Sequence, residues 1–354
     1  MSASSIQSVI DSVVLGLFLL LPLASGMALV LFARDVKRRP APIGRGRLIA
    51  GNVLGVLFLL SLLFSGGELY YRFFYDTTDA VACTKVCERW AQRYWHENRL
   101  ECRDDIEYSM NCARDKGRVT FIGDSFTTGH GIKNIEDRFA NRLRRLHPEW
   151  EVHVLARNGL DTGPELAGLE QLLARGYQIN EVVLVYCLND VADMMPEQHD
   201  VIARLQTQAA HRGWLRENSY FADILYHRYQ VMREPHLKDY YSFVLRAYQG
   251  PLWERQKQRL QKMTELVQSH GGHFSVVTFP FLHALGPNYE YRFVHEELEQ
   301  FWREQKVPHL DLLPVFKDLP PSRITVNRFD PHPNEYANQL AARAIDEFFH
   351  RTIQ

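Results

Sequence analysis

A chain of 354 residues has room for one sizeable globular domain and a smaller element beside it. Its 41 Lys+Arg balance 42 Asp+Glu and no basic tract is interleaved with aromatics, so no nucleic-acid partner is expected. Apolar sequence is concentrated ahead of Glu68, and everything after it reads as soluble protein.

Val13 to Phe32 contains no charge, and Leu48 to Phe64 contains nothing more polar than Asn52. Each run approaches the roughly 17–25 residues a helix needs to cross a bilayer core. Two transmembrane helices are therefore expected within a hairpin of residues 1–68, with the lipid bilayer as a partner. A buried soluble hairpin fits less well, because soluble core helices rarely lack a polar face. A cleaved signal peptide also fits less well, since Ser2 to Asp11 has neither Lys nor Arg. The intervening Ala33 to Arg47 holds Arg34, Lys37, Arg38, Arg39, Arg45 and Arg47 against one Asp35. So basic a loop stays cytoplasmic. The expectation is a multi-pass protein of the inner (cytoplasmic) membrane, with its main domain extracytoplasmic or periplasmic.

Residues 69–116 form a neck rich in aromatics (Tyr70, Tyr71, Phe73, Phe74, Tyr75, Trp90, Tyr94, Trp95) that suit a membrane interface. Four of five cysteines, Cys83, Cys87, Cys102 and Cys112, also fall here. In an oxidising compartment such crowding reads as a disulfide framework. Four-cysteine zinc binding is the alternative, but C-x3-C and C-x9-C lack the usual C-x2-C knuckle, so no metal site is expected. Three connectivities are open. If Val81 to Arg93 is one helix and Cys102 to Cys112 runs back beside it, nested bridges join Cys87 to Cys102 and Cys83 to Cys112.

From residue 117 to 354, strands alternate with helices. Strand Val119 to Ile122 is followed by helix Arg138 to Leu146, strand Trp150 to Leu155 and helix Pro164 to Ala174. Strand Glu181 to Tyr186 is apolar enough for a central position. An aromatic and charged stretch, roughly 195–250, precedes helix Trp253 to His270, strand Phe274 to Phe279, strand His309 to Leu313 and helix Asn334 to Arg351. Such alternation predicts an α/β fold with a parallel sheet covered on both faces. Ligands then bind beyond the carboxyl ends of the strands. Those ends carry Gly123-Asp124-Ser125-Phe126, Asn158-Gly159 and Asn189-Asp190, and Asp330-Pro331-His332-Pro333-Asn334 precedes the last helix. Each alone is an ordinary turn or cap. Together they supply what nucleophilic acyl transfer needs. Ser125 brings a hydroxyl, His332 a base and Asp330 an acid two residues away. The N–H groups of Ser125 and Gly159 and the side-chain amide of Asn189 are oxyanion donors.

These blocks resemble the SGNH/GDSL hydrolases, a family named for Ser, Gly, Asn and His in four blocks. Val119 to Gly131 matches the first, with Phe126 for Leu, followed by Thr-x-Gly-x-Gly. This GDSF variant looks like a bacterial, often membrane-attached, branch. Gly159 stands for the second block. The third is usually G-x-N-D and here reads Cys187-Leu188-Asn189-Asp190. The last is usually D-x-x-H and here reads Asp330-Pro331-His332. Asn98 to Asp104 is similar to the N-x-x-G-F-R-D segment of some membrane-attached members, with Glu101-Cys102 replacing Gly-Phe. The resemblance implies a flavodoxin-like three-layer α/β/α domain and a serine esterase without cofactor. The extracytoplasmic compartment suggests an O-acyl ester, notably O-acetyl, of an envelope glycan as substrate. An O-acyltransferase working with a membrane acyl-transfer partner uses the same residues. A catalytically silent glycan-binding protein is the third reading. The aromatics of the 195–250 stretch either pack an accessory layer or line a substrate groove.

Overall fold

The computed structural model describes residues 3–38, 42–195, 201, 204–205 and 207–352. Of the residues discussed above, 1–2, 39–41, 196–200, 202–203, 206 and 353–354 lie outside the described ones. The chain forms two compact units. One comprises Met1–Asp76, Cys83–Arg89 and Gln206–Arg233; the other comprises Thr77–Ala82, Trp90–Leu205 and Glu234–Gln354.

The first unit is built on two long helices, α1 (Ala3–Lys37) and α2 (Arg45–Leu69). Within them and the wide turn Tyr70–Phe74 that follows, Asp11–Lys37 and Arg45–Phe74 are long and apolar enough to cross a membrane. Little of either is covered by protein: Leu23, Leu59 and Leu63 are among the side chains facing outward. Small residues let the pair approach. Ser25 Oγ lies 2.8 Å from Ser61 Oγ, and Ser65 Oγ donates to the Phe18 carbonyl at 2.7 Å. The buried Glu68 carboxylate, paired with Arg72, accepts from Ser219 Oγ at 2.7 Å and Phe221 N at 3.0 Å. It thereby satisfies orphan amides at the start of a helix in the 206–233 segment.

The second unit is organised on a five-stranded parallel sheet in the order β2-β1-β3-β4-β5. The strands are β1 (Gly117–Gly123), β2 (Trp150–Ala156), β3 (Glu181–Cys187), β4 (His273–Phe279) and β5 (His309–Asp311). Helices cover both faces, because β2 lies on one side of β1 and β3 on the other while right-handed crossovers set the face of each connection. Phe139–Leu146 packs with the C-terminal helix Glu335–Thr352, and Thr162–Ala174 packs with Pro251–Ser269. Val182 to Cys187 in the central strand are fully buried, which explains their unbroken apolar run. A two-stranded antiparallel hairpin, β6 (Thr325–Asn327) with β7 (Asp330–Pro333), leads into the C-terminal helix. The last sheet strand is shorter than expected, because Leu313 already starts a short helix.

The cysteine expectation is corrected. The helix begins at Lys85, after Ala82 at φ +56°, so Cys83 precedes it and is not on a helical face with Cys87. The segment Cys102 to Cys112 does not run back as a partner strand. Asn98 Oδ1 accepts from Cys102 N at 3.2 Å, and Cys112 N donates to Gln178 Oε1 at 2.8 Å, beside the start of β3. No disulfide joins the five cysteines.

Candidate active site

Three adjacent strands deliver three of the expected residues to one edge of the sheet. Gly123 pairs with Ala156 of β2 and Val185 of β3. Ser125, Gly159 and Asn189 therefore follow the carboxyl ends of neighbouring strands. Gly123 is required by space: a Cβ there would sit 2.2 Å from Thr127 Oγ1 and 2.8 Å from the Val185 carbonyl oxygen. Gly159 is required by conformation, at φ +74° with open space around it.

Ser125 opens the short helix Ser125–Thr128, where an amide has no acceptor within the helix. Asp124 caps that helix by accepting from Phe126 N at 2.8 Å. Its other oxygen lies 3.5 Å from Ser125 Oγ and accepts from Asn189 Nδ2 at 3.4 Å. Burial raises the Asp124 carboxyl above its ordinary value.

β7 carries the remaining two expected residues. Its extended backbone sends side chains two apart to the same face. Asp330 and His332 consequently meet, with His332 Nδ1 2.5 Å from Asp330 Oδ1. His332 Nε2 lies 2.7 Å from Ser125 Oγ. The three form a continuous chain in which Nδ1–H donates to the carboxylate and Nε2 accepts from the serine hydroxyl. All are sequestered except Ser125, which is partly open. Burial works against charge on both partners, yet the Asp330 carboxylate raises His332 above the usual imidazole value. In turn His332, His130 and Thr78 hold Asp330 well below the usual carboxylate range.

Sequence reasoning missed the layer behind this chain. The Thr78 hydroxyl donates to Asp330 Oδ2. His130 is buried, with Nε2 3.1 Å from the Asp79 carbonyl and 3.5 Å from Asp330 Oδ2. Its Nδ1 is 3.0 Å from Asn158 Nδ2, while Thr128 Oγ1 donates to Asn158 Oδ1 at 2.6 Å. One neutral tautomer fits both contacts, Nε2–H donating and Nδ1 accepting. Burial and the neighbouring His332 push His130 down to about 4, in keeping with that form. His130 thus links the acid to the residue before Gly159. Its loop is held by buried Arg103, which donates to the carbonyls of Gly129 and, at 2.5 Å, Ile132. The Arg103 guanidinium packs over Trp90 and Trp95 at 5.3 and 4.8 Å. His130 was within reach of sequence reading, since it occupies the variable position of Thr-x-Gly-x-Gly. Thr78, 252 positions from Asp330, carries no local signal.

Among the described residues, two groups bring metal-binding atoms within 4.8 Å of one another: His130, Asp330 and His332, and His147, Asp346 and His350. The first group's ring nitrogens and carboxylate oxygens already serve the contacts above. In the second, His147 stacks on Trp150 at 3.7 Å and bonds Asp346. Cys187 ends β3 fully buried, and burial raises its thiol well above the ordinary value, so it is no nucleophile.

No protein-family model matches the chain, and no curated protein matches it. Solved structures do. TesA is 14% identical over 66% of this chain and 98% of its own, with a TM-score of 0.42. An extracellular lipase from Streptomyces rimosus is 13% identical over 65% of this chain and 99% of its own, at 0.42. A member of the lipolytic protein G-D-S-L family from Veillonella parvula is 13% identical over 66% of this chain and 98% of its own, at 0.41. Several of the solved structures to which this chain is similar are thus lipolytic proteins of the G-D-S-L family.

Proposed function

We propose that the chain is a serine esterase that removes an O-acyl group, notably O-acetyl, from an envelope glycan. The observation that carries this reading is the unbroken contact from Ser125 through His332 to Asp330, at 2.7 and 2.5 Å. His332 Nε2 takes the proton of Ser125 Oγ as that oxygen attacks the ester carbon. The negative oxygen formed is stabilised by the Ser125 and Gly159 amides and Asn189 Nδ2. The sugar alcohol leaves with the proton from Nε2, giving an acyl-serine. Water then attacks, His332 again takes the proton and returns it to Ser125, and the carboxylic acid departs. Asp330 remains ionised throughout and supports the imidazolium that forms twice per turnover.

The glycan is inferred from compartment. The two apolar helices anchor the chain in the cytoplasmic membrane, and the basic loop between them stays inside. Both termini and the catalytic unit then lie outside, where envelope glycans are found. The test is labelling by a fluorophosphonate of the full chain in detergent, with hydrolysis of p-nitrophenyl acetate and release of acetate from acetylated oligosaccharides. The label is expected on Ser125 and is lost, with the hydrolysis, in a folded Ser125→Ala protein. Hydrolysis persisting in that variant would overturn the assignment. Activity on the nitrophenyl ester with none on any acetylated glycan would overturn the substrate class alone.

A further inference from the structure

We infer that residues 214–232, within the long insertion between β3 and β4, form a second membrane-contacting element that lies in the bilayer interface beside the two spanning helices. This rests on the reading of α1 and α2 as membrane spans. The segment consists of two helices, Trp214–Asn218 and Tyr220–Arg233. Their inner face is well made. Asp223 and Ser219 are fully buried, Ile224 and His227 nearly so, and Arg212 and Arg216 both reach Asp223, at 3.0 and 3.1 Å.

The outer face has the wrong chemistry for water. Trp214, Leu215, Leu225, Tyr226, Tyr229 and Met232 are 64, 47, 49, 41, 50 and 69% exposed. Positions 225, 229 and 232 recur at helical spacing, so the longer helix presents an apolar stripe outward as well as a packed face inward. A stripe of this kind needs an apolar neighbour.

Three observations identify that neighbour as lipid. First, the segment that carries the stripe packs directly on the two apolar helices. Trp214 contacts Phe18 of α1 at 6.3 Å between ring centres, and Phe221 contacts Phe64 of α2 at 5.9 Å. Phe221 fits there because position 67 is glycine: a Cβ would lie 2.8 Å from its ring. Second, depth agrees. Phe18 is five residues inside the uncharged run that opens at Val13, or about 7–8 Å at the rise of an α-helix. A residue packed on that ring sits near the boundary of headgroups and acyl chains. Third, the composition is that of an interface, with Trp and Tyr joined by arginines over their faces. Arg216 lies 4.1 Å from the Tyr226 ring centre and Arg233 lies 5.2 Å from that of Tyr229. Arg216 is held by Asp223, while the exposed Arg233 can lay its stem on apolar surface and keep its cation at phosphate level.

The experiment is site-directed spin labelling of the full chain in phosphatidylcholine–phosphatidylglycerol nanodiscs. Labels are placed by Leu225→Cys, Tyr229→Cys and Met232→Cys in a Cys112→Ser background, the other four native cysteines being buried. Accessibility to oxygen and to a water-soluble nickel chelate is read by power saturation, with Leu59→Cys in α2 as the control for spanning. The expected result is oxygen preference at all three insertion sites, at shallower depth than Leu59. Nickel preference at the insertion sites with oxygen preference at Leu59 overturns the interfacial element and leaves the spans standing. Nickel preference at Leu59 overturns the spanning reading itself. Immobile labels that neither reagent reaches mean that protein, either a second copy or another chain, covers the stripe, and the lipid assignment fails.

Discussion

Replacing Asp330 by asparagine isolates what its charge contributes, because the surroundings dictate how the new amide must sit. Asp330 Oδ1 accepts from both the ring Nδ1 and the backbone N of His332, at 2.5 and 3.2 Å. Two donors on one oxygen position call for the amide oxygen there. The amide nitrogen then faces Thr78 Oγ1, which can turn to accept. Ring tautomer and orientation survive, and only the charge is lost. At an effective dielectric constant near 20, unit charges about 4 Å apart attract by ~4 kcal/mol. Losing this from a transition state containing an imidazolium lowers kcat about a thousandfold. The pH dependence supplies a second readout. His332 must be neutral to act as base, and it stands above the usual imidazole value because the Asp330 carboxylate outweighs burial. With the charge gone, burial prevails and the acid limb of kcat/KM moves to lower pH than in wild type. Initial rates on p-nitrophenyl acetate between about pH 5 and 9 measure both effects. A kcat within tenfold of wild type, or an acid limb that stays in place, would refute the argument.

Asn189→Ala removes one oxyanion donor and is expected to lower kcat by roughly 10²–10³ with little change in KM; an unchanged kcat removes Asn189 from the site. His130→Phe breaks the contacts to Asn158 and the Asp79 carbonyl, each worth about 1 kcal/mol, so kcat should fall roughly ten- to thirtyfold while Ser125 still takes a fluorophosphonate. Loss of labelling would show that His130 supports the fold and not only the alignment. Glu165 is buried with neither carboxylate oxygen partnered, and burial raises it well above 4.5. Above that value the unfolded chain releases a proton that the folded chain retains, so wild type loses about 1.4 kcal/mol of stability per pH unit from this group until the folded carboxyl ionises. Glu165→Gln should therefore gain on wild type by about that slope from pH 5 to 7 in detergent unfolding; a pH-independent difference would contradict it.

How much was legible in sequence depended on the range of the interaction that made each feature. The helices and parallel strands declared themselves by local period, and Val182 to Cys187 could be placed centrally because both of its faces are buried. Ser125, Asp330 and His332 could be named because each sits in a short block at an element end. That they meet across a separation of 207 positions was supplied by resemblance and topology. Thr78 sits in no motif, since a single hydroxyl donating across 252 positions leaves no local pattern. The cysteines misled because spacing was read through a helix assumed to start at Val81, whereas left-handed Ala82 delays it to Lys85. The insertion was opaque for another reason. Its buried Asp223 and exposed Tyr229 invert the usual polarity, so burial preference alone could not say which face was inside.

The proposed chemistry asks opposite things of carboxyl groups on the two sides of Ser125. On the His332 side a negative charge must persist to support an imidazolium. On the side of the amides, where an oxyanion develops, fixed negative charge would oppose it. Both demands fall on buried acids, and burial by itself raises every one of them. Hydrogen-bond donors separate the two sets. Asp330 receives the ring and backbone N–H of His332 and the Thr78 hydroxyl, and lies well below the usual range. Asp190 uses one oxygen, accepting from Cys187 N, and leaves the other unpartnered, while Glu165 has no partner on either. Both stand well above their ordinary values, and burial with the neighbouring Asp193 carries Asp161 up to about 8. Raised in this way, these acids hold a proton more firmly than an ordinary carboxyl does, which lessens the charge behind Asp124 and Asn189. One residue type thus serves on both sides: the charge of His332 and the donors around it hold Asp330 low, while burial keeps Glu165, Asp190 and Asp161 above their ordinary values.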